Sequence, residues 1–522
     1  MAFYSPASIH WKGKAMRNVL DWVAAVAIVS SACGGESAAP PASPPPVPTT
    51  PPASPSPADT SAATSAPQKQ LMTITTKSPD AKAALLKAWD LSDNGRGEEA
   101  IVQAKQAVAL DPDFALGHAL LGLMTPGAAA QAELDKAVQL SASLPDAEKT
   151  FIEGHAAARH ADGAKFFADM KRVAELAPDD YHAQAWYGYA LVDHRDFNGA
   201  NAQFGKVVAL NPSAVYVYAN IAWVDTQLRS YDDAVAAARK YADAAPNEGG
   251  AHQALAGALL NVNQTKEAEA ELQKALDLTP KARGIYGDLA SVKAIEGDYA
   301  GARDVLDKSK SAEVQPSDGL DRANRTAWVF FAEGKKADAD KLLDATEKDS
   351  DSRKLVWPDM EAQTRARAAW VMGKPADAVK IVDAAMSRCG QPEASDGHKA
   401  ECRLGFLTTK LFAQIDLHKA ADAQQTLAKL QDEMKNWPGN DWVRAGVDMF
   451  SDQVAALSSK DPKAAAAVLA KCPPDSFDFK LSILREAQKA GDKDGADQVK
   501  KDLLGRPIND PMYPLVVRAL KK

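Results

Sequence analysis

Over residues 185–212, AWYGYALVDHRDFNGANAQFGKVVALNP, apolar residues return every three or four positions on either side of a short polar interruption. Trp186, Tyr187 and Leu191 mark a first helix and Phe197 and Ala200 a second, because a face that recurs at helical period buries one side of each. Pro212 ends the second helix, since proline lacks the N–H a helix needs. The pattern then repeats. Pro178, Pro212, Pro246 and Pro280 stand 34 residues apart. Ala200, Ala234, Ala268 and Ala302 keep that step, as do the small residues Gly188, Ala222, Ala256 and Ala290. Phe197, Tyr231 and Tyr299 keep it too, with Thr265 as the exception. A fixed period of this size predicts stacked supersecondary units. Alternating apolar–polar runs are nearly absent and alanine, the best helix former, dominates after residue 80, so the expected fold class is all-α.

These residues resemble the tetratricopeptide repeat, whose unit is a pair of antiparallel helices. The resemblance implies a helical-hairpin solenoid in which Gly188 lets the second helix approach, Phe197 packs under the turn and Ala200 holds the two helices together. The array is expected over residues 78–316. Residues 100–112 form the second helix of a first unit, 115–146 an irregular short unit and 143–178 the next. After residue 316 the step fades while helix–turn–helix patterns persist at 327–345, 368–386 and 484–504. Residues 317–522 are read as degenerate hairpins continuing the stack, with a separate small helical domain as the alternative. The lysine- and aspartate-rich last hairpin suits a polar cap.

The amino terminus has a different character. Lys12, Lys14 and Arg17 precede a short apolar stretch, residues 22–32, in the layout of a secretory signal and too short to span a bilayer. Met16 is a second candidate start. Ser30, Ser31 and Ala32 before Cys33 resemble the lipobox of bacterial lipoproteins, which implies a signal and lipobox over residues 1–33 and an acylated Cys33. Ser30 stands where that family usually has Leu, and Asp21 sits close to the apolar stretch; an ordinary cleaved signal is the alternative. Gly34, in place of Asp, implies by the same resemblance an outer-membrane position in the cell envelope, facing the periplasm or the surface. Residues 34–77 read as a disordered linker: from 37 to 67 they are almost only Pro, Ala, Ser and Thr, with Asp59 the one charge. Such a segment buries too little apolar surface to offset its ordering entropy. At about 3.1 Å per residue in polyproline II it reaches on the order of 100 Å.

Composition and charge narrow the chemistry. With 46% hydrophobic residues the chain can build a sizeable core, and a net charge of −8 without a basic stripe argues against nucleic-acid binding. No HExxH, glycine-rich phosphate loop or G-x-S-x-G occurs, so neither a catalytic site, a cofactor nor a metal is expected. His155 with His160, and His182 with His194, read as surface or groove residues, and Asp179 and Asp180 as helix caps. Cys389 and Cys402 flank a loop that a disulfide would close in an exported protein. A metal site using His398 as well lacks a fourth ligand, and Cys472 reads as a small buried apolar residue.

In the family it resembles, the first helix of each unit lines the concave face. Here that stripe comprises His182, Ala185, Tyr189 and Asp193, then Tyr216, Ala219, Trp223 and Gln227, then Gln253, Gly257 and Asn261. Chaperone-binding members of that family use a lysine-rich carboxylate clamp; Asn220 could mimic one member of it, but the lysines are missing from these stripes, which argues against that activity. Tyr189 and Trp223 either serve as anchors in an aromatic and amide-lined groove or pack between first helices. The expected function is a membrane-anchored envelope scaffold binding a protein or peptide, with an accessory role in envelope assembly or secretion as one alternative. A second is an enzyme or ligand site in 317–522, where Trp357-Pro358 and Trp437-Pro438 could line a pocket.

Overall fold

A computed structural model describes residues 69–93, 97–125, 128–159, 162–313, 316–353, 360–390, 396–435, 441–459, 477–507 and 510–521. Among these the chain is all-α, with no strand. Seven hairpins of similar size come first: α1 (Pro79–Asp93) with α2 (Gly97–Leu110), α3 (Ala115–Met124) with α4 (Ala128–Leu140), α5 (Asp146–Arg159) with α6 (Gly163–Leu176), α7 (Tyr181–Asp193) with α8 (Phe197–Leu210), α9 (Val217–Gln227) with α10 (Tyr231–Ala244), α11 (Gly249–Asn261) with α12 (Thr265–Leu278), and α13 (Arg283–Glu296) with α14 (Tyr299–Lys308). Less regular pairs follow: α15 (Pro316–Glu333) with α16 (Lys336–Ser352), α17 (Met360–Val371) with α18 (Pro375–Ala385), and α19 (Asp396–Asp416) with α20 (Ala420–Met434). Then come α21 (Asp441–Ser459), α22 (Phe477–Ala490), α23 (Lys493–Gly505) and α24 (Tyr513–Lys521).

From α7 onward, the described hairpin turns each place one residue in the left-handed region. Arg195 (φ 63°), Arg229 (φ 63°), Asn263 (φ 60°) and Gly297 (φ 93°) occupy that place at successive repeats. Gly334, Gly373, His418 and Gly491 occupy it in later pairs. The residue after each donates its N–H to the carbonyl five positions back, as Asp196 does to Leu191 at 2.9 Å and Lys419 to Gln414 at 3.0 Å. This bond ends the first helix and turns the chain. The next helix is often capped by the same aspartate: Asp196 accepts from the Gly199 N–H at 2.8 Å, and Asp298 and Asp492 act alike. Asp180 caps α7 through the N–H groups of His182 and Ala183.

First helices touch the first helix of the next hairpin at α1–α3, α3–α5, α9–α11, α13–α15, α15–α17 and α17–α19, whereas consecutive second helices lie farther apart. First helices therefore form the inner layer of a curved stack. Alternate residues of the extended segment 69–78 face inward, Met72 fully buried, with Ile74 and Thr76 partly so. Its backbone is received by carboxylates at the repeat junctions: Asp179 takes the Gln70 N–H (2.8 Å), Asp180 that of Met72 (3.2 Å), Glu148 that of Thr75 (3.0 Å) and Asp111 that of Lys77 (3.2 Å).

At the carboxyl end the charged residues of α23, among them Lys493, Asp494, Asp497 and Lys501, are exposed, and a further helix follows. The α22–α23 hairpin is buried along Phe477–Leu484, including Lys480 and Ser482, and α24 packs back on α13, α15 and α17. The buried side of this hairpin is α22, which lies against α19.

Candidate functional site

The inner face of α7, α9, α11 and α13 is tied together by side-chain hydrogen bonds between neighbouring first helices. Asn220 Nδ2 donates to the Tyr189 hydroxyl at 3.2 Å, Asn261 Nδ2 reaches Thr226 Oγ1 at 3.4 Å, and Gln253 Nε2 donates to Asp288 at 2.5 Å. The ladder continues with Arg283 on Asp321 (2.7 Å) and with Thr364 on Asn324 (2.8 Å). Asp288 and Thr226 belong to this floor although the sequence stripe omitted them. Asp288 lies two repeat steps beyond Asn220, so the period itself could have found it.

The expected groove residues fall into two groups. Tyr189 is 5% exposed, its ring edge-on to Trp186 (5.5 Å) and Phe204 (5.4 Å), so it packs. Gln227 is 6% exposed and neither end of its amide has a protein hydrogen-bond partner. His182 stacks on Trp89 at 4.5 Å and meets Asp93 at 3.1 Å, so α1 leans against the start of α7. Asp193, Tyr216, Asn220, Trp223, Gln253 and Asn261 are half-buried. Trp223 is the largest of these, with one edge held by Phe197 at 5.8 Å.

His155 corrects its expectation. It is fully buried within the rings of Phe151 (4.4 Å), Trp186 (4.2 Å) and Phe166 (5.5 Å), because α5 turns that face to the core between α6 and α7. His194 is exposed, lying against Phe167. Cys33, the linker before residue 69, His160, Cys472 and both Trp-Pro pairs lie outside the described residues.

In 317–522, Cys389 and Cys402 are joined as a disulfide across a Cα–Cα distance of 5.5 Å. Both are buried with Ala366, Val382 and Phe406. Polar bonds anchor the carboxyl end. Arg485 donates to Asp416 (2.6 Å) and to the carbonyls of Trp370 (2.9 Å) and Val371 (2.8 Å), closing the end of α17. Arg518 does the same for α15 through the Ala332 carbonyl at 2.9 Å. Cations at helix carboxyl ends satisfy free carbonyls and complement the dipole. Arg367 pairs with Asp478, whose carboxyl burial pushes up to about 6 against the opposing pull of that arginine. Among the described residues no group of three or more His, Cys, Asp or Glu is placed to hold a metal. No described helix is long and apolar enough to cross a membrane.

Residues 188–249 match the family model of the tetratricopeptide repeat. No curated protein matches the chain. Solved structures similar to parts of it include MamA (41-end) from Desulfovibrio magneticus RS-1, 21% identical over 32% of this chain and 94% of that one, with a TM-score of 0.29. The Pseudomonas aeruginosa pilF protein is 14% identical over 39% of this chain and 90% of its own, TM-score 0.32. YrrB, described as a TPR protein with an unusual peptide-binding site, is 19% identical over 34% and 90%, TM-score 0.27. Such repeat proteins are typically non-catalytic interaction scaffolds. With the family match running from Gly188 in α7 to Gly249 at the start of α11 and hairpins stacked on both sides of it, residues 188–249 carry tetratricopeptide repeats within an all-α solenoid.

Proposed function

We propose that the chain is an envelope scaffold that binds a segment of a partner protein on the inner face of α7, α9 and α11. The observation that carries this reading is the half-buried strip of Asp193, Tyr216, Asn220, Trp223, Gln253 and Asn261 on a floor braced by its own hydrogen bonds. A braced floor loses little side-chain freedom on binding, which favours affinity. Trp223 offers an aromatic anchor, the side-chain type that most often dominates interface energy. The test is affinity capture from envelope extracts with wild type and Trp223→Ala in parallel, followed by urea unfolding of both. Trp223→Ala is expected to weaken capture of a specific partner by about 2 kcal/mol or more and to unfold far less readily than Leu255→Ala, whose buried site costs about 2–5 kcal/mol. Equal capture by both proteins overturns the reading.

The anchor belongs to the same proposal. Acylation of Cys33 would hold the chain at a membrane, the outer one by the lipoprotein resemblance, and residues 34–68, the part of the expected 34–77 linker that precedes the docked segment, would space the solenoid from it. More than one acyl chain is needed for stable anchoring, and the lipoprotein resemblance supplies them. Cys33→Ala should release the protein from the membrane fraction or stall its processing. An unchanged mature mass and fractionation exclude the lipid anchor.

A further inference from the structure

The first-helix face is not open along its whole length. Asp193, Gln227, Asn261 and Ile295 are one repeat step apart, so Ile295 is the groove position of α13. Ile295 and Tyr299 line one side of a cleft of about 240 Å³; Pro514, Val517, Arg518 and Lys521 of α24 line the other. α24 touches three successive first helices, α13, α15 and α17. Leu515 and Val516 are 1% and 0% exposed, and Leu520 is buried beside them. At the start of α24 the Tyr513 hydroxyl donates to the Leu503 carbonyl of α23, and a polar bond from Arg518 to the Ala332 carbonyl fixes the helix along the groove. The guanidinium there lies against Gly334, at φ 93°, where a Cβ would collide with it. The chain leading into α24 passes the next groove position upstream: Arg506 covers the Tyr231 ring at 4.1 Å, and Gly505 and Arg506 line a cleft with Arg229, Tyr231 and Asn261.

We propose that the inner face of α13, α15 and α17 is a groove for an amphipathic helix, closed in this chain by α24 and opened when a partner helix of the same chemistry displaces it. The proposal extends the preceding reading from the open strip to its continuation. The required partner helix carries an aliphatic stripe for the surface that Leu515, Val516 and Leu520 cover, and an arginine one turn from that stripe for the carboxyl end of α15. A nine-residue helix is too short to persist alone in water, so α24 exists as a helix only while docked. A longer partner helix, already formed, meets a smaller ordering cost. Recognition then follows the helix-in-groove mode, read through anchors on one face.

The probe is a fluorescent peptide of residues 511–522, added to the full chain. Wild type should bind it weakly, because its own copy occupies the groove. Arg518→Ala removes a charge-assisted hydrogen bond from the closed state and should raise peptide affinity on the order of tenfold. Lys501→Ala, at an exposed position of α23 outside the cleft, should leave it unchanged. Amide exchange of wild type gives an independent reading: α24 should exchange through a local opening that leaves α13 and α15 protected. Equal peptide binding by wild type and folded Arg518→Ala overturns the proposal. So does exchange of α24 only with global unfolding, a measurement that holds even if the variant misfolds. Trp223→Ala should not change peptide binding, which separates this result from the upstream capture test.

Discussion

Gly188→Ala tests how the repeat holds its two helices together. An added Cβ would stand 2.7 Å from Phe204 Cε1 and 3.0 Å from Cδ1. Phe204 is fully buried and also packs edge-on to Tyr189, so its ring has little room to yield. Other repeats solve the same contact differently. Positions 188, 222, 256 and 290 are Gly, Ala, Ala and Ala, and the facing positions 204, 238, 272 and 306 are Phe, Ala, Leu and Leu. Glycine thus stands opposite the one phenylalanine, and alanine opposite smaller side chains. Overpacking a full core costs about 1–3 kcal/mol, and replacing a mid-helix glycine by alanine recovers about 1 kcal/mol. The net expectation for Gly188→Ala is a loss of about 1 kcal/mol. Phe204→Leu should reverse the sign of that substitution, because Ala256 over Leu272 and Ala290 over Leu306 already exist in this chain. The coupling in a double-mutant cycle should reach about 1–2 kcal/mol. Urea unfolding of the four proteins by circular dichroism measures it, with amide exchange over α7 and α8 locating the change. If Gly188→Ala is neutral in both backgrounds, the volume argument fails.

Protonation of Asp478 should strengthen the carboxyl-end packing. Its folded pKa lies near 6, above the unfolded value of 3.8, so between those values the folded state holds a proton the unfolded state has lost. Stability therefore falls as pH rises through that window and recovers on acidification, by about 1 kcal/mol from near pH 7 to near pH 5; Asp510, also raised by burial, acts in the same sense. Asp478→Asn should shrink this gain in urea midpoints measured at both pH values, and an undiminished gain would assign it elsewhere. Cys402→Ser should destabilise the 3₁₀ turn Met386–Gly390 against α19 by about 3 kcal/mol. Peptide mapping of the exported protein without reductant should show Cys389 linked to Cys402, and two freely alkylated thiols reject the pairing.

The repeat was legible because it is written in side-chain size. Small residues at 188, 222, 256 and 290, and prolines after the second helices, follow from close helix approach and from the missing N–H of proline. After residue 316 the helices change length, from 13 or 14 residues in α11 to α13 to 18, 17, 12 and 11 in α15 to α18, and the sequence period is lost. The turn survives where side chains cannot reveal it: Arg195, Arg229 and His418 take the left-handed conformation that Gly297, Gly334 and Gly373 take elsewhere. That geometry is set by the backbone bond to the carbonyl five residues back.

The candidate site was half legible. The first-helix stripe follows from the period, but whether a stripe residue is offered or consumed depends on what lies across from it. Tyr189 is taken up by Phe204 and Asn220, and His182 by Trp89 and Asp93, whose separation along the chain hides the contact. Sequence alone determined the all-α class, the hairpin unit and its step, since these depend on contacts within about one repeat length. Only the tertiary structure decided the return of α24 to α13, α15 and α17. Arg518 meets Ala332 across 186 residues, and a contact over such a distance leaves no local period from which to read it.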